Sequence, residues 1–170
     1  MNEKQLIHSS RKGDIEAFAK LYGLYKDRLY RYAYYRLGNP CDAEDAVCDT
    51  VLMAFEGIGD LRKASAFSAW IFRLHYSTCS KYVARQIDMK ESANIDDYEN
   101  SAKLSTNINT LSAELNEGLN ILTDHEREVV LLSVIAGFNS KEISDITGLT
   151  DGSVRCKLSR SLEKMRNFLE

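Results

Sequence analysis

The sequence predicts an all-α protein built as two small helical domains joined by a flexible polar linker. Breakers are scarce: one Pro and 9 Gly in 170 residues leave room for long helices and supply too few turns for a β-sandwich. Apolar residues recur at spacings of three and four over most of the chain. Between residues 86 and 110 that periodicity is lost and Asn, Ser and Asp accumulate, so a linker divides a domain over residues 1–85 from one over residues 111–170.

The elements follow in order. A short helix covers Glu3 to Ser10, and Gly13-Asp14 opens a long one to about Leu37. Its seam is Phe18, Tyr22, Tyr25, Leu29 and Tyr32, and Gly38-Asn39-Pro40 stops it. The next helix, Asp42 to about Glu56, carries Ala43, Val47, Val51, Ala54 and Ile58 on one stripe. Gly57 and Gly59 frame a break, and a helix from about Ser65 to Arg85 then turns Phe67, Trp70, Ile71, Leu74 and Thr78 inward.

After the linker a weak helix is expected from Leu111 to Leu122. Thr123 with Glu126 forms a capping box that opens a helix through Val129, Val130, Leu132 and Ala136, closed by Gly137. Asn139 with Glu142 repeats the pattern ahead of a short helix, Ser140 to Thr147, with Ile143 and Ile146 inside. Gly148-Leu149-Thr150 makes a turn into a longer helix, Asp151 to Leu169, striped by Val154, Leu158, Leu162, Met165 and Leu169. A short helix, a glycine turn and a longer helix make a helix-turn-helix. Ser153, Cys156, Arg160 and Lys164 fall opposite the stripe, flanked by Arg155, Lys157 and Ser159.

Charge supports a local rather than a general contact with nucleic acid. The formal net charge is −3, yet residues 153–168 hold five basic residues against the single acid Glu163. Small and basic residues outward on such a helix suit a major groove, where Arg reads guanine and phosphate. The composition, 44% hydrophobic and 28% charged, is that of a folded chain able to bury a core. No apolar run approaches a membrane span and Met1–Ser10 has no signal-peptide core, so a cytoplasmic protein without membrane insertion is expected.

These residues resemble the extracytoplasmic-function sigma factors of bacterial RNA polymerase, a branch of the sigma-70 family. GDIEAFAKLYGLYKDRLYRYAYYRLG is similar to the opening of their region two, and DAEDAVCDTVLMAF to the segment that docks on the clamp helices of the largest polymerase subunit. FSAWIFRLHYSTCSKYVAR resembles the helix that melts the −10 element. LTDHEREVVLLSVIAGFNSKEISDITGLTDGSVRCKLSRSLEKMRNFL resembles region four, which reads the −35 element and meets the polymerase flap.

The resemblance implies a transcription initiation factor that binds core RNA polymerase and promoter DNA, and that is held by an anti-sigma factor. It places polymerase docking on Asp42, Glu44, Asp45, Asp49 and Met53, where an acidic stripe complements a basic partner. It places −10 contacts on Arg62, Lys63, Phe67, Trp70 and Arg73, a mixture of cations and rings suited to unpaired bases. The −35 contacts fall on Lys141, Ser153, Arg155, Cys156, Lys157, Ser159 and Arg160. Cys48, Ser77 and Lys81 depart from the family pattern, and Cys156 stands where a small residue is usual.

Other classes find less support. No phosphate-cradling glycine motif, HExxH or convincing Ser-His-Asp order is present, so neither an enzyme nor a small-molecule substrate is expected. His75 and Cys79 stand at i, i+4, but the further cysteines of a zinc motif are missing, and no metal or cofactor is expected. The last forty-odd residues also resemble the helix-turn-helix of response regulators, yet the α/β receiver pattern is lacking upstream.

Overall fold

The protein is described by a computed structural model covering residues 1–92 and 110–170. Eight α-helices and two single 3-10 turns make up the described residues: α1 (Glu3–Arg11), α2 (Ile15–Leu37), α3 (Pro40–Gly57), α4 (Phe67–Ser92), α5 (Thr110–Asn120), α6 (Asp124–Val134), α7 (Ser140–Thr147) and α8 (Asp151–Leu169). The 3-10 turns, Ile58–Asp60 and Ala64–Ala66, bracket the loop between α3 and α4.

Capping chemistry sets most of the boundaries. Asp14 Oδ1 accepts from the Ala17 N–H at 3.1 Å to start α2, and Gly38 ends it in the left-handed region at φ 71°. Asn39 immediately accepts from the Cys41 and Asp42 N–H groups at 2.8 and 3.2 Å, with Pro40 in the first turn. The Gly-Asn-Pro triplet therefore both stops one helix and starts the next, so α3 begins two residues before the expected Asp42.

In the first lobe, α2 packs on α3, and α3 on α4. Leu21, Leu29, Tyr32 and Phe72 fill the centre. Fully buried alanines, Ala43, Ala46 and Ala54, let α3 lie close to its neighbours. Trp70 and Leu74 of the expected inward set are only half-buried.

His75 is sealed in this core and fully used. Leu29 C=O can only accept, so the 2.7 Å contact fixes the proton on Nε2. Nδ1 lies 2.8 Å from Thr50 Oγ1, whose one proton is shared between it and Ala46 C=O, also at 2.8 Å. Cys79 lies beside the ring, and burial pushes its thiol up to about 12. Burial pulls the imidazole down to about 4, so it is neutral at physiological pH.

A pH dependence follows. Above the ordinary histidine range neither folded nor unfolded chain is protonated here. As pH falls, only the unfolded state takes up the proton, and stability declines until the folded value is reached. From about pH 7.5 to about pH 5.5 this single group removes about 1.3 kcal/mol. Urea titrations of the wild-type chain and of His75→Phe, which lacks the titrating ring, should differ in slope by that amount over this window.

The second lobe packs α6 and α7 against α8, with α5 along α8. Capping boxes at Thr123/Glu126 and Asn139/Glu142 are both formed. Gly148 sits at φ 81° as it closes α7, with no heavy atom near its missing Cβ. Gly148→Ala therefore strains only the backbone and should lower stability by about 1 kcal/mol without loss of helix content, measurable by urea denaturation and circular dichroism.

Two expectations are corrected by the packing. The helix expected to end near Arg85 runs on to Ser92, so the first part of the expected 86–110 linker is helical. Residues 93–109 of that linker lie outside the described residues. On α8 the buried seam is Val154, Ser161 and Met165, whereas Leu162 and Leu169 are 38% and 50% exposed. A 3.6-residue period drifts off a run of fours, so the position after Leu158 that points inward is Ser161.

Candidate nucleic-acid interface

The helix-turn-helix leaves Arg155 and Arg160 exposed on α8. Thr150 caps α8 by accepting from the Ser153 N–H at 3.2 Å, which fixes the first turn. The Ser144 hydroxyl donates to Leu149 C=O across the turn at 2.5 Å, tying α7 to the start of α8. With Val154, Ser161 and Met165 holding the inner face, Arg155, Cys156, Ser159 and Arg160 are exposed and, with Gly152, line one shallow surface hollow. Ser153 and Lys157 border it half-buried, and Lys141 is exposed on α7. Arg155 is partly neutralised by Asp151 at 3.6 Å.

Lys164 behaves otherwise. Its ammonium donates to both Glu126 oxygens at 3.1 and 2.9 Å, linking α8 to α6 at the edge of the lobe while the side chain stays 53% exposed. That contact, with the Thr123 cap, holds the Glu126 carboxyl down at about 2.

In the first lobe, Arg62 and Lys63 are exposed in the loop between the 3-10 turns, anchored by buried Leu61. Arg73 is exposed on α4 and shares that face with Ser77 and Lys81, each one further turn along. Phe67 is a correction to the expected set. It is 1% exposed, edge-on to Tyr25 at 5.2 Å, and offers no surface to DNA. Trp70 is half-buried against Phe67, and its ring lies over Gly57, where a Cβ would come within 3.3 Å.

The acidic stripe of α3 is present and oriented. Glu44, Asp45, Asp49 and Met53 are exposed and Asp42 is half-buried. α4 positions two of the acids: Gln86 Nε2 donates to Asp42 at 2.8 Å, and the Tyr82 hydroxyl donates to Asp49 at 2.7 Å. Burial and that bond push the Tyr82 phenol up to about 12, so it stays a donor.

Beside the stripe lies a feature absent from the sequence reading. Ile15, Phe18, Tyr22, Val51, Leu52 and Phe55 line an open, almost wholly apolar groove of about 480 Å³ between α2 and α3. The signal for it was Leu52 and Phe55, three residues apart with Phe55 four after Val51, which widen the apolar face of α3 beyond the counted stripe.

The two lobes are also in contact, through α2 with α6 and α4 with α7. Phe72 meets Phe138 edge-on at 5.1 Å, and the Arg28 guanidinium donates to Ala136 C=O at 3.4 Å. Arg36 of α2 forms a buried ion pair with Glu128 of α6.

Two helical lobes, one carrying a helix-turn-helix with arginines outward, define a DNA-binding protein. Comparison with known proteins narrows the class. The model of sigma-70 region 2 matches residues 21–87, and that of sigma-70 region 4 matches residues 112–165. Among curated relatives, the ECF RNA polymerase sigma factor SigW of Bacillus subtilis is 26% identical, over 98% of this chain and 96% of the relative. The ECF RNA polymerase sigma factor BldN of Streptomyces coelicolor is 25% identical over 97% of this chain, which spans 65% of that longer relative.

Solved structures share the fold. CnrH, in complex with the cytosolic domain of CnrY, superposes with a TM-score of 0.74 at 23% identity, over 98% of this chain and 96% of that one. The sigma factor RpoE of Bartonella quintana, in complex with the anti-sigma factor NepR, gives 0.72 at 20% identity, over 91% and 98%. The chain belongs to the sigma-70 family, in its extracytoplasmic-function branch. Members of that family are transcription initiation factors rather than catalysts.

Proposed function

We propose that this chain binds core RNA polymerase and directs it to a restricted set of promoters, reading the −10 element with residues 1–85 and the −35 element with residues 111–170, across the 86–110 connection. The observation that carries the reading is the pairing of the two sigma regions, in order, with exposed cations on α8 and on the α3–α4 loop. Arg160 and Arg155 read bases or phosphates in the major groove, with Ser153, Cys156, Lys157 and Ser159 around them. Lys141 takes a backbone phosphate.

Arg62, Lys63 and Arg73 serve the −10 element, with Trp70 at their edge, and Lys81 joins them on the exposed face of α4. The acidic stripe with Glu44, Asp45 and Asp49 docks on a basic helical surface of the polymerase, Asp42 and Met53 flanking it. The chain works in the cytoplasm, with no cofactor, and is not itself a catalyst: the polymerase carries out phosphoryl transfer. No helix among the described residues is long and apolar enough to cross a membrane. An anti-sigma partner, as named for the RpoE structure, is the expected regulator.

The net charge of −3 fits a protein that does not grip DNA alone, since few phosphate contacts give weak intrinsic affinity. Mixing the chain with core polymerase should yield a complex on size exclusion, while the isolated chain shifts promoter DNA weakly. Tight binding of the free chain to DNA, with no polymerase complex, would point instead to an ordinary DNA-binding regulator.

A further inference from the structure

A half-enclosed cavity of about 220 Å³ lies where α2, α4 and α6 converge. None of its lining residues belongs to the sets proposed for DNA or polymerase. Three cations, Arg36, Lys90 and Arg127, line it against the single acid Asp124, and Val83 and Ile87 supply an apolar wall. Like charges gathered at one partly dry site repel, so this lining favours a ligand that is negative.

Arg36 supplies the most specific sign of that ligand. The residue is only 3% exposed, and both of its terminal nitrogens are engaged. Nη2 pairs with buried Glu128 and donates to Ser80 Oγ at 2.8 Å. Nη1 donates to Tyr76 C=O at 3.0 Å and to the Tyr32 hydroxyl at 3.1 Å. Nε is buried and meets no acceptor among the described residues. A buried donor in that state is unfavourable, and an oxygen ligand in the cavity would satisfy it.

Arg127 is half-buried and held rigid. Its Nε donates to Leu119 C=O at 3.1 Å and its Nη2 to Leu122 C=O at 3.4 Å, so the backbone fixes the plane of the fork. Burial holds this guanidinium below its ordinary value, with Asp124 opposing the shift and Arg36 adding to it. The two arginines therefore act on each other across the site. Asp124 offsets only part of their charge. Its Oδ2 lies 3.9 Å from Arg36 Nη2, beyond hydrogen-bond reach, and its side chain is 42% exposed at the rim. With Glu128 counted behind Arg36, three cations meet two carboxylates and one positive charge remains.

The shape of the donor set indicates the class of anion. Cations arrive from three helices rather than as one flat fork, which suits a tetrahedral oxyanion better than a planar carboxylate. The cavity is smaller than the about 300–1,000 Å³ of ordinary ligand pockets, so the ligand is small. We propose that this cavity is a binding site for a phosphate group, held by Arg36, Arg127 and Lys90. The group belongs either to a free phosphate or diphosphate, or to a small phosphate ester whose carbon part lies on Val83 and Ile87. The site stands independently of the sigma-factor reading.

Isothermal titration of the full-length chain at fixed ionic strength tests this, with phosphate, diphosphate and glycerol phosphate as probes. At least one should bind with a dissociation constant below about 1 mM, while acetate at the same concentration does not. Tightest binding by diphosphate assigns the site to the free anion, and tightest binding by glycerol phosphate assigns it to an ester. Arg127→Gln should weaken binding by at least about tenfold and Lys90→Gln by about threefold. Asp124→Asn should tighten it by about threefold, a gain that damage to the fold cannot produce. Circular dichroism should show unchanged helix content. If Arg127→Gln loses helix, exposed Lys90 and rim Asp124 still decide.

No binding of any of the three probes up to about 10 mM would overturn the site and leave the cavity to solvent. Binding that all three substitutions leave unchanged would overturn it equally, because the anion would then sit elsewhere, as on the basic face of α8.

Discussion

Arg160→Ala is expected to reduce initiation from −35-dependent promoters by about 5- to 150-fold, the equivalent of about 1–3 kcal/mol for one bidentate base contact. The side chain is exposed on α8 within the hollow it shares with Arg155, Cys156 and Ser159. Nothing in the lobe depends on it for packing, because α8 is held through Val154, Ser161 and Met165 on the opposite face. The loss should therefore appear with stability and polymerase binding unchanged. Arg155→Ala should cost less, since Asp151 already offsets part of that charge. Run-off transcription from matched templates with intact and scrambled −35 elements separates the roles. A base-reading Arg160 loses activity on the intact template only, whereas an equal loss on both would reduce it to a phosphate contact.

Asp45→Lys is expected to weaken the complex with core polymerase by about 10- to 100-fold, most visibly at low salt. Asp45 is exposed in the middle of the acidic stripe, with Asp42 and Asp49 held in place from α4 by Gln86 and Tyr82. Reversal removes one attraction and sets a cation against a basic partner, a juxtaposition that costs several kcal/mol when the charges are close. Because Asp45 is exposed, helix content and melting should not move. Fluorescence anisotropy against core polymerase at two salt concentrations gives the answer. Wild-type affinity for the variant would make the stripe a solvated face and shift the docking site to the apolar groove of Leu52 and Phe55.

The sequence made the helices legible wherever local chemistry sets them. Capping boxes at Thr123/Glu126 and Asn139/Glu142, the Gly38-Asn39-Pro40 junction and the Gly148 turn each act within four residues, and each is formed as the pattern implies. The exposure of Arg155, Cys156, Ser159 and Arg160 was legible for the same reason: an amphipathic helix defines its outer face by its inner one. Where α4 ends was not legible, because neither a glycine nor a proline follows Arg85 and the helix continues to Ser92.

What the sequence hid is tertiary. Lys164 reads as an unpaired cation, and only the fold sets Glu126, 38 residues earlier, against it. Phe67 and Trp70 look alike in a pattern of cations and rings, yet packing on Tyr25 buries the first and leaves the second at the edge. Arg36 and Glu128 carry no local signal that they would meet, since a charge beside an apolar stripe is ordinarily a solvated one.

The central claim is that this chain makes a polymerase selective. The most direct measurement is run-off transcription by purified core polymerase on a library of randomised promoters, with and without the chain. The account predicts that transcripts appear only with the chain present, from templates sharing one −10 and one −35 sequence at a fixed spacing. Transcription that is absent in both reactions, or equally unselective in both, would contradict it.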